Sequence, residues 1–536
     1  MANDHLHPKD ILISFHLPTL LLVIGFPVYW IELYWLSVKE ARTSVLASLL
    51  FMLVSLGVIV HERQKILELF KNSWNGFLKT ALSEKFWLVS GFLMVTVILA
   101  VALVASLYPP HFSQEYDALV YHITIPRQHL LMNSFKHIPW STSDFYLLPL
   151  NFAMAPYWLV TGLPNKFPQF FFIPGLLAIA VRLLSRLGKN DFFSLAMALF
   201  AIVGTHGLAI QMGTVMMDIV MCYLFVAAVD SFLAGRFLLS AVECAFFFWS
   251  KPFIPPQMIF IAVILFLGIA VLRKLGFQWD LSWISKNNLK KLLMAFSIFS
   301  IVIAGPFLAK STYYTGTPLY PFGVELIHPP SELAADKARW GSLKEKAREA
   351  LAMKDGYGYG RSPLALMKFL LFFAIPTRGV NNEFDYPAGL TFLLFLGPFL
   401  YLACQNFKQK QIRILPLFIM IYWLSWWMGS HQTRFLYIPI VLMILCVLSF
   451  PQFRSTTLMA MIIIALSLTM LSVYRANKGV FGKTAYDVLR PQDRELVEMG
   501  KTIGKTDRPV VIHDYTPAFA DFLVDVKGVN TFFVLN

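Results

Sequence analysis

Residues 86–108 read FWLVSGFLMVTVILAVALVASLY, Pro109 and Pro110 follow, and residues 113–150 read SQEYDALVYHITIPRQHLLMNSFKHIPWSTSDFYLLPL. The first run carries no charge and is long enough, at about 1.5 Å per helical residue, to cross a hydrocarbon core of roughly 30 Å. The second brings Glu115, Asp117, His122, Arg127, His129, Lys136, His137 and Asp144 together just past the end of that run. Charges outside a membrane span are ordinary. An acid followed five residues later by a histidine, inside an apolar segment of helical period, is less so, and the functional reading rests on it.

Outward from this stretch the chain stays oily. Of 536 residues, 57% are hydrophobic and only 14% are charged, more apolar surface than a water-soluble protein of this length can cover. Apolar runs recur at roughly 11–31, 43–60, 87–108, 167–184, 192–209, 217–235, 237–250, 253–273, 292–310, 388–404, 412–428, 434–450 and 456–473. The expected fold is an all-α polytopic membrane bundle of about thirteen transmembrane helices. Its membrane domain is 1–473, with outer loops 109–166 and 311–387. A small extracytoplasmic tail, 474–536, reads as an α/β unit with a helix over Asp493–Ile503 and a strand over Val510–His513.

The net charge of +14 invites a nucleic-acid partner, but the cations sit in short loops between spans, the pattern of cytoplasmic loops. Arg63, Lys65, Lys71, Lys79 and Lys85 place 61–85 in the cytoplasm. The N-terminus is then inside, and 109–166, 311–387 and the C-terminus are outside. This works only if Phe145–Leu163, broken by Pro149, Pro156 and Gly162, is not a full span but a helix that re-enters or lies in the outer leaflet. Pro363–Pro376 has the same solution. Cys222, Cys244, Cys404 and Cys446 lie in apolar runs without metal-like spacing and read as small core residues. The N-terminus, with Asp4, Lys9 and Asp10, does not read as a cleavable signal. The absence of N-x-S/T sequons and the short tail favour a bacterial inner membrane.

Several residues carry chemistry, each with a plainer alternative. Asp117 would open a short helix at the membrane surface, as a helix-terminal acid or as a base or cation ligand. Asp218 lies at the outer start of one span and His206 at the outer end of the span before it. An acid that close to hydrocarbon is a functional candidate, or else a structural partner of a neighbouring helix. Lys251 sits between two apolar runs, and Arg434 starts an outer span beside His431. Each either snorkels or holds an anion such as phosphate. The loop DGYGYGR, 355–361, lacks the context of a nucleotide-binding turn. Asp117, His122 and Asp218 could converge on one divalent cation, although spacing alone does not assign a metal.

Taken together, these features resemble the GT-C superfamily of integral-membrane glycosyltransferases, which includes oligosaccharyltransferases, protein O-mannosyltransferases and lipid A aminoarabinose transferases. An acid in the first large outer loop (Asp117) resembles the superfamily's main catalytic acid. The segment D-A-L-V-Y-H-I-T-I-P-R, which contains Tyr121 and His122, resembles a first-loop motif of bacterial members. Asp218 resembles the second acid. TGTPLYPF, with Tyr320, resembles a TGNPxYPF element, and S-H-Q-T-R-F-L-Y-I-P resembles a late S-x-x-x-R-[FY]-x-x-P element. The chain departs in two places: Ala118 stands where aminoarabinose and mannosyl enzymes have a second acid, and Phe145-Tyr146-Leu147-Leu148 replaces a lysine that often precedes the proline helix.

The resemblance implies a membrane enzyme that transfers a sugar, with inversion, from a polyprenyl-phosphate carrier to a lipid, glycan or protein acceptor on the extracytoplasmic side. Asp117, Asp218 and His122 would be its catalytic residues. Arg434, Lys251, His431, Tyr121, Tyr320 and His206 would be its substrate-binding residues. The other class weighed is a transporter or flippase for an anionic lipid or solute, which would use the same acids for ion coupling. Its usual signature, two related halves, is missing from the sequence.

Overall fold

At Gly25 two helices meet backbone to backbone. A Cβ added there would lie 1.9 Å from the carbonyl oxygen of Ala153 and 2.7 Å from the Tyr157 ring. The first helix is α1 (Leu17–Trp35) and the second is α5 (Pro149–Trp158). This approach seats the proline-containing segment against the first span, with all ten residues of α5 buried.

The computed structural model describes residues 13–35, 42–108, 110, 115, 117–138, 141–158, 166–188, 191–279, 286–326, 337–352, 360–372, 386–409, 411–429, 432–481, 510–511 and 532–533. Besides α1 and α5, the helices are α2 (Arg42–Lys79), α3 (Leu82–Ser106), α4 (Thr124–Met132), α6 (Phe167–Phe170), α7 (Phe172–Arg186), α8 (Phe192–Val203), α9 (His206–Gln211), α10 (Asp218–Leu233) and α11 (Phe237–Phe248). They continue with α12 (Ile254–Lys274), α13 (Lys286–Thr315), α14 (Lys337–Ala352), α15 (Pro363–Phe372), α16 (Leu390–Lys408), α17 (Ile414–Met428), α18 (Tyr437–Leu448) and α19 (Thr456–Asn477). Two parallel two-residue pairings complete the description: β1 (Gln278–Trp279) with β2 (Gln411–Ile412), and β3 (Val510–Val511) with β4 (Phe532–Phe533). The two-residue β3 falls at the start of the strand expected over Val510–His513; the rest of that strand and the helix expected over Asp493–Ile503 lie outside the described residues.

Each of the thirteen apolar runs contains a helix, and among the described residues eight helical segments, α6 and α7 counted as one, are long and apolar enough to cross a membrane by themselves. The chain is a multi-pass α-helical membrane protein. Two of the shorter apolar helices lie deep in the bundle. Every residue of α18 is buried, and α8 buries nine of its twelve. One expected span, 192–209, is two helices, α8 and α9, parted at Gly204-Thr205. The Gly204 carbonyl freed by the break accepts hydroxyl protons from Thr391 (2.7 Å) and Thr469 (3.0 Å) of two other helices, so the break leaves no orphaned acceptor.

The Phe145–Leu163 segment is not a straight span over its described part. Its helix α5 has ten residues, about 15 Å at the usual rise, half of a hydrocarbon core. It also differs from a helix lying among lipids, because it is enclosed by protein, chiefly α1 and α2.

The Gly25 contact makes a test. Gly25→Ala must push the α1 backbone off Ala153, an overpacking that costs about 1–3 kcal/mol. Gly57 on α2 has nothing within 4 Å of its Cβ position, so Gly57→Ala serves as the control. In detergent, the apparent melting temperature should fall for Gly25→Ala and hold or rise for Gly57→Ala. Equal shifts would mean that α1 and α5 do not touch at residue 25.

Candidate functional site

The site begins with a proline. Pro126 sits in the first turn of α4 and has no N–H to give, so the carbonyl of His122 four residues earlier has no helical donor. The chain answers with a wide π turn over Ala118–His122, closed by Ile123 N donating to Ala118 O at 3.0 Å. Asn151 of α5 supplies the missing donor: its Nδ2 donates to His122 O at 3.2 Å and lies 2.5 Å from His122 Nδ1. With Nδ1 accepting, the imidazole proton is on Nε2, and Nε2 is buried without a partner.

Asp117 stands at the head of this turn, but its side chain caps nothing. Its Oδ2 instead accepts from Arg434 Nη1 at 2.8 Å, 317 residues away in sequence. The Tyr121 hydroxyl donates to the same carboxylate. The helix-opening role considered for Asp117 is therefore not the one its carboxylate plays. Arg434 lies on the 3-10 turn Thr433–Leu436 leading into α18, and its Nη2 donates to Gln432 Oε1 at 3.3 Å.

The second pair is parallel to the first. Asp218 opens α10, where an acid suits the helix dipole, and its Oδ1 accepts from Lys251 Nζ at 2.8 Å. Its Oδ2 is buried and has no hydrogen-bond partner among the described residues. The Phe435 ring faces both cations, with Lys251 Nζ 5.0 Å and Arg434 Cζ 5.5 Å from its centroid. Asp117, Tyr121, His122, Asp218, Lys251 and Arg434 thus form one cluster from four separate stretches of sequence. Tyr146 extends it: its ring lies 6.2 Å from Tyr121 and stacks on Tyr320 at 6.1 Å.

The charges interact as this geometry requires. Burial alone would raise the Asp117 carboxyl, but Arg434, His122 and Lys251 overcome it and hold it at about 2. Burial and then Lys251 push the His122 imidazole down to about 3, against the pull of Asp117 and Asp218, so it is neutral at any physiological pH. Burial, followed by the Asp117 charge, raises the Tyr121 phenol well above its ordinary range, which keeps it a donor.

Two expected members do not join. His206 is buried at the start of α9, where its Nδ1 lies 3.3 Å from Pro387 O and its backbone N donates to Ala388 O at 2.9 Å. It clamps the approach to α16. His431 lies outside the described residues. A shared divalent cation does not fit either. Asp117 and Asp218 each already hold a side-chain cation, and among the described residues no three His, Cys, Asp or Glu side chains are grouped to hold a metal.

Sequence reasoning missed the residues that hold the acids in place. Glu115, fully buried, accepts from Lys166 Nζ at 2.8 Å with one oxygen and from Val215 N at 2.8 Å with the other. It ties the chain two residues before Asp117 to the chain three residues before Asp218. Nearby, Asp144 is enclosed by His129 Nε2 (2.7 Å), His137 Nδ1 (3.1 Å), Lys310 Nζ (2.5 Å) and Ile138 N (2.7 Å). This knot pins the segment between α4 and α5 to α13. Only Pro126 gave a local signal, and it pointed to a helix break, not to Asn151.

No protein-family model matches the chain, and no curated protein matches it. The described residues thus show a multi-pass helical membrane protein with a half-buried Asp117–Arg434 pair and a buried Asp218–Lys251 pair close to a neutral histidine.

That histidine has a measurable consequence. Unfolded, it takes up a proton near pH 6.5; folded, it refuses one down to about 3. Between those values the unfolded chain binds more protons, so His122 should cost stability as pH falls, by about 1.4 kcal/mol per unit well below 6.5. Asp117 acts in a different window: its depressed value adds stability that is full above about 4 and is lost as pH falls through about 2. His122→Gln should therefore flatten the decline of unfolding midpoint between pH 6.5 and 4.5. A slope equal to wild type would show that position 122 is not held neutral.

Proposed function

We propose that the protein is a membrane glycosyltransferase that takes a sugar from a polyprenyl-phosphate carrier and transfers it to an acceptor on the extracytoplasmic face. The observation that carries this reading is the paired arrangement of Asp117 with Arg434 and Asp218 with Lys251 around one aromatic ring. Cations this near hydrocarbon require anionic partners, and a lipid phosphate can replace a carboxylate on each of them.

The exchange gives the mechanism. In the resting pair Asp117 is too weak a base to work near neutrality. A donor phosphate that takes Arg434 for itself removes the main attractive charge from Asp117. Its carboxylate then sits in a buried, low-dielectric place with Tyr121 as the remaining donor, and its proton affinity rises. Asp117 takes the proton from an acceptor hydroxyl or amine as that atom attacks the anomeric carbon. The carbon–oxygen bond to phosphate breaks, and Arg434 and Lys251 hold the leaving phosphate charge. One such displacement inverts the anomeric centre. Neutral His122 offers its Nε2 proton as a donor and Asp218 its Oδ2 as an acceptor, two groups with which the acceptor can be oriented. The partly exposed ring of Tyr146 suits the apolar face of a sugar, whereas Tyr320, expected to bind substrate, is buried behind it and supports that ring.

The test is turnover of a polyprenyl-phosphate sugar by purified protein in liposomes supplied with envelope acceptors. Asp117→Asn keeps the shape but cannot take a proton, so turnover should fall about 100- to 10,000-fold at saturating donor, with donor still bound. Near wild-type turnover in Asp117→Asn would remove Asp117 as the base.

A further inference from the structure

The helix α2 is too long for the membrane it enters. Its 38 residues measure about 57 Å, nearly twice a hydrocarbon core, so a large part of it must leave the bilayer or run along it. The contacts of its second half decide which. Glu62 is buried within electrostatic reach of Arg236, in the turn between α10 and α11. The α10 end of that turn is fixed to the end of α7, where Arg186 Nε donates to Asp230 Oδ1 at 2.8 Å. A helix standing upright from Glu62 would carry Gly76 about 21 Å beyond this level. Instead, a Cβ at Gly76 would lie 2.9 Å from Phe192 Cβ, and the Phe77 ring lies 6.2 Å from that of Phe192. Phe192 is the first residue of α8, in the turn that follows α7. Residues 62–77 therefore run across the face formed by these turns.

The faces of this stretch are sorted. At 100° per residue, Glu62, Ile66, Ser73 and Phe77 form the side turned to the protein. Leu67, Phe70, Trp74 and Leu78 form a second stripe beside it, and they are 66%, 71%, 60% and 51% exposed. A third face carries Lys65, Glu68, Lys71, Asn75 and Lys79, all exposed. A helix bathed in water on two sides has no use for the second stripe. A helix lying in a membrane interface needs all three.

We propose that residues 61–79 are an interfacial anchor, with Leu67, Phe70, Trp74 and Leu78 sunk at the level of the lipid headgroups, Lys65, Lys71 and Lys79 on the charged face binding anionic phospholipids, and Arg63, at the end of the apolar stripe, reaching the same headgroups by its long side chain. Charge complementarity selects the partner: four exposed cations face one exposed acid, Glu68, and anionic lipid attracts each nearby cation by about 1 kcal/mol. Continuity selects it again, since the anchor is one unbroken helix with a membrane-entering segment and is followed by the span α3. Tryptophan at such a boundary is where its amphipathic ring is favoured. The inference is independent of the proposed enzymatic activity.

Spin labels test it on the full chain. In a Cys404→Ser background, which removes the exposed thiol, Phe70→Cys, Trp74→Cys and Asn75→Cys are labelled and reconstituted in phosphatidylcholine with and without phosphatidylglycerol. Collisions with oxygen and with a water-soluble nickel complex are then compared. The labels at 70 and 74 should show an oxygen-to-nickel ratio several-fold above that at 75, and phosphatidylglycerol should raise it further. Nickel access at 70 and 74 equal to that at 75 would overturn the anchor. Dipolar broadening between copies at 70 and 74 would also overturn it, because the stripe would then be a protein interface. A ratio indifferent to phosphatidylglycerol would overturn the assignment to anionic lipid.

Discussion

A carboxylate and a guanidinium taken out of water are each expensive to bury, and they are tolerated at the edge of hydrocarbon only if they find each other. Asp117 and Arg434 do so at 2.8 Å, and the link joins the segment after α3 to the start of α18. Asp218 and Lys251 repeat the arrangement between α10 and the turn before α12. Removing one partner would strand the other, at a cost of several kcal/mol. The pairs thus tie four stretches of the chain together at one end of the bundle. In the proposed reading, the same four side chains carry both stability and chemistry.

Precision comes from groups that never meet a ligand in this scheme. Glu115 bonds Val215 N and Lys166 Nζ, which fixes the spacing between the two acids through the backbone on either side. Asn151 answers the carbonyl that Pro126 leaves open and sets the tautomer of His122 in the same stroke. The Asp144 knot holds the segment between α4 and α5 on α13. Each of these is buried and hydrogen-bonded, so the backbone around the cluster is fixed in advance.

Much of this was legible in the sequence, for particular reasons. A membrane span has to be apolar over its whole length, so the positions of the helices follow from local composition. Asp117, Asp218, Lys251 and Arg434 stood out because a charge beside hydrocarbon breaks that rule. That they form one cluster was an expectation drawn from resemblance, and the geometry brings them together. The wide turn at 118–122, the division of 192–209 into α8 and α9, and the roles of Glu115 and Asn151 were not legible. Each depends on a partner 29 to 265 residues away in sequence, among them Asn151 for His122 and Thr469 for Gly204. Lengths misled as well: α8 and α18 are shorter than a free-standing span, and the bundle surrounds them with protein.

The claim at the centre is that a lipid phosphate takes the place of the Asp117 carboxylate on Arg434. A structure of the protein with a bound polyprenyl-phosphate sugar tests it most directly. The account requires the phosphate to lie within hydrogen-bonding distance of the Arg434 guanidinium and the Lys251 ammonium, with Asp117 released toward the sugar. A phosphate bound elsewhere, with the Asp117–Arg434 pair still closed, would contradict it.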